Sequence, residues 1–223
     1  MNLRHLGIIA DGNRRWAKEN NLPKIEGHKK GLQTIETLVG AAAKAGIPYI
    51  TFYVFSTENW GREKAEVDYI MKLAETRILK TAEKMAANNI RLLILGSRSK
   101  VNPTLTSLAE KAEKITENCT GTTACFCFNY GGEQEIADAA NIAMEVDGEI
   151  TPATIRKHLY HPEIPDLDMI VRTSGEERIS GFMLWRAAYA ELMFLEKYFP
   201  EMESGDIQII VKEYNRRSRR FGK

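Results

Sequence analysis

The sequence has little of what marks secreted, metal-stapled or membrane-spanning proteins. Its 223 residues include three cysteines, Cys119, Cys125 and Cys127, which are too few for a disulfide framework and lack the paired spacing of a zinc site. No apolar run approaches the roughly 20 residues that a membrane-spanning helix needs. The short apolar stretch near the start runs into Asp11, so we expect no secretion signal. These absences favour a reducing compartment, and we expect a cytoplasmic protein.

The chain also lacks internal repeats, low-complexity tracts and any linker rich in proline, glycine and serine. A GxxxxGK[ST] loop is missing, which disfavours P-loop nucleotide chemistry. The composition, 43% apolar and 27% charged, excludes a disordered chain. A chain of this length buries about 70% of its unfolded surface, so its core needs no disulfide or metal. We therefore expect one domain over residues 1–223.

Charge is nearly balanced, with 31 basic and 30 acidic side chains, except at the end of the chain. The basic cluster there could contact phosphate groups of nucleic acid, lipid or substrate, and a frayed, solvated terminus is the alternative. Because basic and aromatic residues are not interleaved and no known motif is present, we expect no nucleic-acid partner. The cluster consists of Lys212, Arg216, Arg217, Arg219, Arg220 and Lys223.

Short apolar or β-branched runs alternate with segments of helical periodicity along the chain. The runs predict strands at Leu6–Ala10, Tyr49–Phe55, Ile90–Leu95, Thr122–Phe128, Leu167–Arg172 and Glu191–Leu195. The periodic segments predict helices at Leu32–Ala42, stopped by Gly46 and Pro48, and at Val67–Met85, Leu105–Thr116, Glu133–Met144 and Pro152–Leu159, and a final helix that ends in the basic cluster. This alternation is typical of an α/β fold with a central, mostly parallel sheet flanked by helices.

Four polar motifs directly follow predicted strands. Ligands of parallel sheets bind beyond the carboxyl ends of the strands, so all four motifs should gather at one edge of the sheet. The motifs are Asp11-Gly12-Asn13, Ser56-Thr57-Glu58-Asn59, Asn129-Tyr130-Gly131-Gly132 and Arg172-Thr173-Ser174-Gly175. We expect the functional site at that edge.

The first of these loops has the composition of a phosphate and metal site. Gly12 lets a ligand approach the backbone closely, and Arg14 and Arg15 bring positive charge to a helix start. Asp11 among these cations fits a Mg²⁺ ion held by one carboxylate and by substrate phosphates. The alternative is an ordinary Asp-Gly turn with surface arginines.

A second group, formed by Arg172, Arg178 and Ser180, has the composition of an anion clamp. The planar guanidinium of arginine binds phosphate oxygens in pairs. Glu177 could instead neutralise Arg178 in a weak surface ion pair. Two cationic groups at one edge indicate two phosphorylated substrates or one long one.

Several stretches of the chain resemble the cis-prenyltransferases, and within them the bacterial undecaprenyl diphosphate synthases. The motifs occur in the same order and extend over nearly the whole chain. The stretches are His5–Ala17 (HLGIIADGNRRWA), Gly27–His28, Phe55–Arg62 (FSTENWGR), Asn129–Gly132 (NYGG), Ile170–Phe194 and the tail Arg217–Gly222 (RSRRFG).

The resemblance implies a homodimeric, Mg²⁺-dependent enzyme with a mostly parallel sheet and a hydrophobic tunnel. Such an enzyme condenses farnesyl diphosphate with successive isopentenyl diphosphates to give a long cis-polyprenyl diphosphate, here undecaprenyl diphosphate, the precursor of the cell-wall lipid carrier. A peripheral membrane contact would serve product release. The arginine-rich tail resembles one that reaches the pyrophosphate site of a neighbouring subunit.

The resemblance also implies roles for individual residues at the allylic site. Asp11 would organise Mg²⁺ and the leaving diphosphate, and Glu191 matches a second acid that positions Mg²⁺ across the dimer interface. The backbone N–H groups of Gly12–Arg15, with the side chains of Arg15 and His28, would hold the allylic diphosphate.

Arg172, Arg178 and Ser180 would hold the isopentenyl diphosphate. Further residues that the resemblance places at the substrates are Asn13, Arg14, Trp16, Lys24, Ser56, Thr57, Glu58, Asn59, Trp60, Arg62 and Glu66. The acceptor of the proton stays open. We favour a diphosphate oxygen relayed through Asn59, with Ser56 or Asn13 as alternatives, and therefore count Asn59 with Asp11 as catalytic.

The sequence departs from the bacterial pattern at four positions. Arg14 replaces the second glycine of the usual DGNGRWA, and Ala10 stands where methionine is common. Lys24 occupies a position that arginine often holds, which keeps the charge but loses bidentate geometry. Glu63 stands where proline is frequent. None of these changes removes a group that the chemistry requires.

Two alternatives bear on the activity. A non-catalytic, lipid-binding subunit is disfavoured because Asp11, Arg15, Arg172 and the other matched charged residues are all present. The apolar stripe from Val67 to Met85 would form the tunnel wall, although core packing explains such a stripe as well.

Overall fold

The computed structural model describes residues 3–217 and is built around one sheet of six strands. All five strand pairs are parallel, and the strand order is β3-β4-β2-β1-β5-β6. The strands are β1 (His5–Ile9), β2 (Tyr49–Ser56), β3 (Arg91–Leu95), β4 (Thr123–Tyr130), β5 (Met169–Arg172) and β6 (Glu191–Phe194). The expected α/β fold is confirmed, and its sheet is wholly parallel.

Seven α-helices accompany the sheet within residues 3–217. They are α1 (Asn13–Glu19), α2 (Lys24–Lys44), α3 (Lys64–Ala87), α4 (Pro103–Ile115), α5 (Gly132–Asp147), α6 (Pro152–His158) and α7 (Ser204–Arg216), and short 3₁₀ helices occupy Thr57–Gly61 and Phe199–Glu201. None of the helices in this described range is long and apolar enough to cross a membrane.

Local sequence sets where these helices begin and end. The Asn102 side chain caps α4 by accepting a hydrogen bond from the Leu105 N–H at 2.8 Å, and Pro103 fills the first turn, where its missing N–H costs nothing. The helix α2 ends at Lys44, and Gly46 follows it with a φ of 70°, in the left-handed region that favours glycine.

The sheet is covered on both faces, as a parallel sheet requires. Leu6 and Ile8 of β1 pack into a core cluster with Phe52 of β2, whereas the alternate residues Ile9 and Tyr53 pack into a second cluster. All five residues of β1 are buried. Burial on both faces explains why this strand, after His5, appears in the sequence as an apolar run from Leu6.

The strand order places a topological switch point at β1. From β1 the chain moves to β2 on one side, and after β4 it crosses to β5 on the other side of β1. Parallel sheets bind ligands at such a point, beyond the carboxyl ends of the strands. The loop after β1 therefore lies between the ends of β2 and β5.

Each predicted strand and helix is present, and most boundaries differ by three residues or fewer. The exception is α2, which begins at Lys24, well before the apolar periodicity that starts at Leu32. The prediction that the four polar motifs follow the strands needs correction. Ser56, Asn129 and Tyr130 lie within β2 and β4 rather than after them, whereas Arg172 ends β5 as expected. Strand pairing thus extends into the motifs and fixes these side chains more firmly than a loop would. Most of the arginine-rich tail lies outside the described residues.

Candidate active site

A cleft of about 1040 Å³ lies at the carboxyl ends of the central strands. The sequence motifs converge there as predicted, because the cleft is bordered by the loops after β1, β2, β4 and β5. Among the predicted site residues, those lining it are Asp11, Gly12, Asn13, Arg14, Arg15, His28, Ser56, Thr57, Glu58, Asn59, Arg62, Arg172 and Ser180.

Asp11 joins the loop after β1 to the end of β5. Its Oδ2 accepts a hydrogen bond from Arg172 Nη2 at 2.9 Å, and its Oδ1 accepts one from the Gly12 N–H at 2.7 Å. Arg15 Nη2 lies 3.4 Å from the same Oδ1. Burial alone would raise the pKa of Asp11, but Arg172, the Gly12 N–H and Arg15 together lower it below its usual range. Asp11 is therefore a carboxylate at neutral pH.

Gly12 is required by the geometry of this loop. Its φ of 96° lies in the left-handed region, and an added Cβ would come within 2.6 Å of Tyr198 Cδ1 and 2.8 Å of Ser174 Oγ. Any larger residue would be strained and would also push against the neighbouring loops. The close packing holds the Asp11 carboxylate in place.

Arg172 connects the two cationic groups. Its side chain is 6% exposed, and while Nη2 binds Asp11, Nη1 donates to Ser180 Oγ at 2.8 Å and to the Arg178 carbonyl oxygen at 2.5 Å. The buried Arg172 Nε finds no hydrogen-bond partner among the described residues. A guanidinium fixed in this way is preorganised to bind an anion at low entropic cost.

Arg178 is not among the described residues that line the cleft, and its side chain pairs with an acid. The sequence offered Glu177 as the acid that could neutralise it, and this is wrong, because Glu176 Oε2 accepts from Arg178 Nη1 at 2.5 Å. Glu176 Oε1 also accepts from Arg15 Nη1 at 3.0 Å. Glu177 instead lines a surface groove beside Leu192.

Glu66 organises a second set of cations at the cleft. Its carboxylate is 4% exposed, and its Oε1 lies 3.3 Å from His28 Nε2 and 3.2 Å from Arg62 Nη1. Arg14 Nε lies 3.7 Å from its other oxygen. Burial lowers the pKa of His28 and is only partly opposed by Glu66, so the imidazole is neutral at pH 7. Arg14 thus lies within ion-pair distance of a buried acid.

The segment after β2 is fixed by its own side chains. Asn59 Oδ1 accepts from the Ser56 N–H at 3.2 Å in a reciprocal capping arrangement. Trp60 Nε1 donates to Asn129 Oδ1 at 2.7 Å, and the indole packs edge-on against Phe55 at 5.3 Å. The structure therefore uses Trp60 as a packed support for the cleft wall.

An apolar cavity of about 180 Å³ adjoins the cleft and shares Ala10, Asn13, His28 and Val54 with it. The expected tunnel wall is present only in part. Of the apolar stripe on α3, Ile70, Ala74 and Ile78 line the cavity together with Leu92 and Ile94 of β3, whereas Val67, Ala82 and Met85 are packed in the core.

Six predicted site residues lie outside the set of described residues that line the cleft, namely Trp16, Lys24, Trp60, Glu66, Arg178 and Glu191. Lys24 pairs with Glu63 at 3.0 Å on the surface. Glu191 is the first residue of β6 and lies beside Met169, whereas Arg172 at the cleft end of β5 lies beside Phe194. Within one subunit, Glu191 is therefore at the opposite end of the strands from Asp11.

Sequence reasoning missed two residues of the site. Thr173 Oγ1 donates to the Asp11 carbonyl oxygen at 2.7 Å and lies 3.0 Å from the Asp11 N–H, which clamps the loop after β1. Glu176 is the other. Both belong to the segment RTSGEER. The motif predicts Thr173 at this edge but gives it no role, and of the two glutamates only the second is predicted as a partner for an arginine.

The residues present fit a divalent cation held mainly by substrate. Among residues 3–217, no group of three or more His, Cys, Asp or Glu side chains is arranged to hold a metal ion. Asp11 supplies one ionised carboxylate that is 31% exposed at the cleft. Mg²⁺ typically keeps several waters and takes one or two carboxylates plus substrate phosphates, so one such acid suffices.

A cationic cleft beside an apolar cavity with which it shares lining residues is suited to one class of ligand, anionic molecules with apolar tails. Comparison with known proteins gives the same class. Residues 9–222 match the model of the prenyltransferase family of undecaprenyl diphosphate synthases. The chain belongs to this family.

The relatives match over nearly their whole length. Isoprenyl transferases from Neisseria gonorrhoeae and Rickettsia sibirica are 43% and 40% identical, over 99% and 100% of this chain and 89% and 99% of theirs. A crystal structure of lavandulyl diphosphate synthase from Lavandula x intermedia in complex with dimethylallyl diphosphate has a TM-score of 0.94 at 28% identity, covering 100% of this chain and 99% of that one. A probable undecaprenyl diphosphate synthase from Campylobacter jejuni has a TM-score of 0.86 at 30% identity, covering both chains completely.

Proposed function

We propose that this protein is a cis-prenyltransferase that condenses farnesyl diphosphate with successive isopentenyl diphosphates to form undecaprenyl diphosphate. The observation that carries the proposal is the ion pair of 2.9 Å between Asp11 and Arg172, which joins two cationic groups beside an apolar cavity. Two diphosphates bound to these groups would have their hydrocarbon parts close together. The names of the isoprenyl transferase relatives support the same activity.

The two diphosphates would occupy opposite sides of the Asp11–Arg172 contact. Arg15, His28 and the backbone N–H groups from Gly12 onward would hold the allylic diphosphate, with its chain in the cavity along α3. Arg172 and Ser180 would hold the isopentenyl diphosphate, joined by Arg178 once its side chain leaves Glu176. Asn13 lies at the junction, because it lines both the cleft and the cavity.

The charges of the site explain how the reaction proceeds. The bond between the allylic carbon and its diphosphate oxygen breaks, and negative charge grows on the leaving pyrophosphate. Fixed N–H groups and Arg15 stabilise that charge more in the transition state than in the ground state. The terminal double bond of isopentenyl diphosphate forms the new carbon–carbon bond, and C2 loses a proton to a diphosphate oxygen, relayed through Asn59.

Asp11 and substrate diphosphate oxygens would hold Mg²⁺, with Glu191 of the partner subunit as a further acid. Bound there, the ion neutralises charge on the leaving group. A homodimer would bring Glu191 to a site that its own subunit keeps it away from. A product with a long apolar chain also implies a peripheral membrane contact during release.

Substitution of Asp11 tests the assignment. We expect Asp11→Ala to lower the turnover of prenyl transfer at least ~10²-fold, comparable to the loss of one major transition-state contact. Asp166→Ala is the matched control, since Asp166 pairs with Arg156 at 2.8 Å on the surface, outside the cleft. Near-normal turnover of the Asp11 variant at saturating Mg²⁺ would contradict the proposal.

The size of the cavity favours a second candidate, a product of few isoprene units. Its volume of about 180 Å³ only slightly exceeds that of an engineered cavity of roughly 150 Å³ that holds one benzene molecule. A product of many units needs the α3 wall to move outward. Chromatography of the lipid product distinguishes the two candidates by chain length.

A further inference from the structure

One carboxylate connects the two arginines that the proposed function assigns to different substrates. Glu176 Oε1 binds Arg15 Nη1 at 3.0 Å, and Glu176 Oε2 binds Arg178 Nη1 at 2.5 Å. The Glu176 side chain is 28% exposed, whereas those of Arg15 and Arg178 are 43% and 60% exposed. Both oxygens of a single acid thus occupy positions on guanidinium groups that phosphate oxygens would otherwise take.

The backbone fixes Glu176 between the arginines. Ser174 and Gly175 have consecutive positive φ angles of 82° and 69°, which fold the chain back after β5. The Ser174 carbonyl oxygen accepts from Arg15 Nη1 at 3.2 Å, so the turn itself is bound to the loop after β1. Glu177, the next residue, faces a different surface groove.

An acid in this position has a different effect on the first and the second anion that binds. The first diphosphate must displace the Glu176 carboxylate from one arginine and bear the repulsion of its charge. The two oxygens belong to one rigid carboxylate, so a rotation that withdraws Oε1 from Arg15 also moves Oε2 away from Arg178, and the second diphosphate meets a weaker opposing contact. A cost that falls on the first ligand alone makes the binding of the two ligands positively cooperative.

We propose that Glu176 electrostatically couples the two diphosphate subsites, lowering the affinity for either anion alone and favouring their joint occupation. This inference rests on the proposed function for the identity of the subsites. The electrostatic coupling itself would apply to any two diphosphate groups bound at these arginines. The residue acts through Arg15 and Arg178 and is therefore a positioning residue.

The test is a calorimetric titration of the full chain with inorganic pyrophosphate in magnesium-free buffer. The wild type should bind pyrophosphate with a Hill coefficient between 1 and 2. Glu176→Gln keeps the shape of the side chain and removes its charge, and should bind about two- to fivefold more tightly, the range for losing an exposed ion pair, with a Hill coefficient of 1. Glu177→Gln, which changes the neighbouring acid, should match the wild type.

Unchanged or weaker pyrophosphate binding by the Glu176 variant would overturn the coupling. An equal gain in affinity in both variants would do so as well, because it would reduce the effect to overall charge. The assay of prenyl transfer is separate. Absence of transfer in a protein that still shows the pyrophosphate coupling would reject the proposed function and leave the coupling intact.

Discussion

At the scale of single residues, the site depends on side chains whose protonation is set by their surroundings. Asp11 is kept ionised by Arg172 and the Gly12 N–H, whereas His28 is kept neutral chiefly by burial. A buried histidine at the opposite end of β1, His5, shows the same principle away from the cleft. Its Nδ1 lies 2.8 Å from the Pro165 carbonyl oxygen, so Nδ1 carries the proton and Nε2 accepts from Thr51 Oγ1 at 2.7 Å.

We expect His5 to make stability depend on pH. Burial lowers its pKa from 6.5 to about 4, so between these pH values His5 is protonated in the unfolded chain but neutral in the folded chain. The contribution of neutral His5 to the free energy of unfolding is complete above pH 6.5 and is lost as the pH falls toward 4. The loss amounts to about 2 kcal/mol between pH 7 and pH 5. Urea unfolding at the two pH values measures it.

His5→Gln provides the comparison, because glutamine does not titrate. Between pH 7 and pH 5 the wild type should lose about 2 kcal/mol more free energy of unfolding than the variant does. Equal losses in the two proteins would show that other groups cause the pH dependence.

Residue choices within a motif are also where prediction from sequence reaches its limit. The sequence identified RTSGEER as an anion site but offered the wrong acid as the partner of Arg178. The choice between Glu176 and Glu177 depends on the positive φ of Ser174, a conformation that residues other than glycine seldom adopt. No local sequence pattern indicates that turn.

At the scale of elements, α3 both lines the apolar cavity and packs in the core, and the spacing of its apolar residues does not distinguish these two roles. Ile70 and Ile78 face the apolar cavity, whereas Ala82 and Met85 pack in the core. The periodicity predicted the helix correctly, since apolar spacing marks a buried face. It could not tell cavity from core, because that depends on how far β3 and α4 lie from each part of the helix.

We expect Ala74→Phe to shorten the lipid product. Ala74 lines the cavity of about 180 Å³, and one phenyl ring fills most of such a space, so the growing chain would meet an obstacle early. Ala87→Phe at the exposed end of α3 is the matched control and should leave the product unchanged. Chromatography of the labelled lipid measures chain length. A wild-type product from the Ala74 variant would place the chain elsewhere.

At the scale of the whole molecule, the strand order brings the site together. Asp11 and Arg172 are 161 positions apart in the chain, yet β1 and β5 are neighbours and their carboxyl ends meet. The alternation of strands and helices predicted the sheet and the edge that carries the site. The alternation did not predict the order of the strands in the sheet, because local patterns do not reveal that the chain crosses to the far side of β1 before β5.

The sequence also does not indicate the long-range polar contacts of the fold. Arg186 is almost fully buried and donates to Glu135 Oε1 at 2.8 Å, and Tyr130, at the end of β4, donates to the other oxygen of Glu135 at 2.5 Å. This network ties the end of β4 to the segment that follows Ser180. Arg186 and Glu135 look like surface charges in the sequence, since only the assembled fold removes them from water.

In the proposed reaction, one cleft brings two diphosphate esters together for carbon–carbon bond formation. Incubation of the protein with farnesyl diphosphate, labelled isopentenyl diphosphate and Mg²⁺, followed by chromatography and NMR of the lipid, tests it most directly. We predict a labelled lipid diphosphate longer than the starter, with each new double bond in the cis configuration. Label that stays in isopentenyl diphosphate, or new double bonds that are trans, would contradict the account.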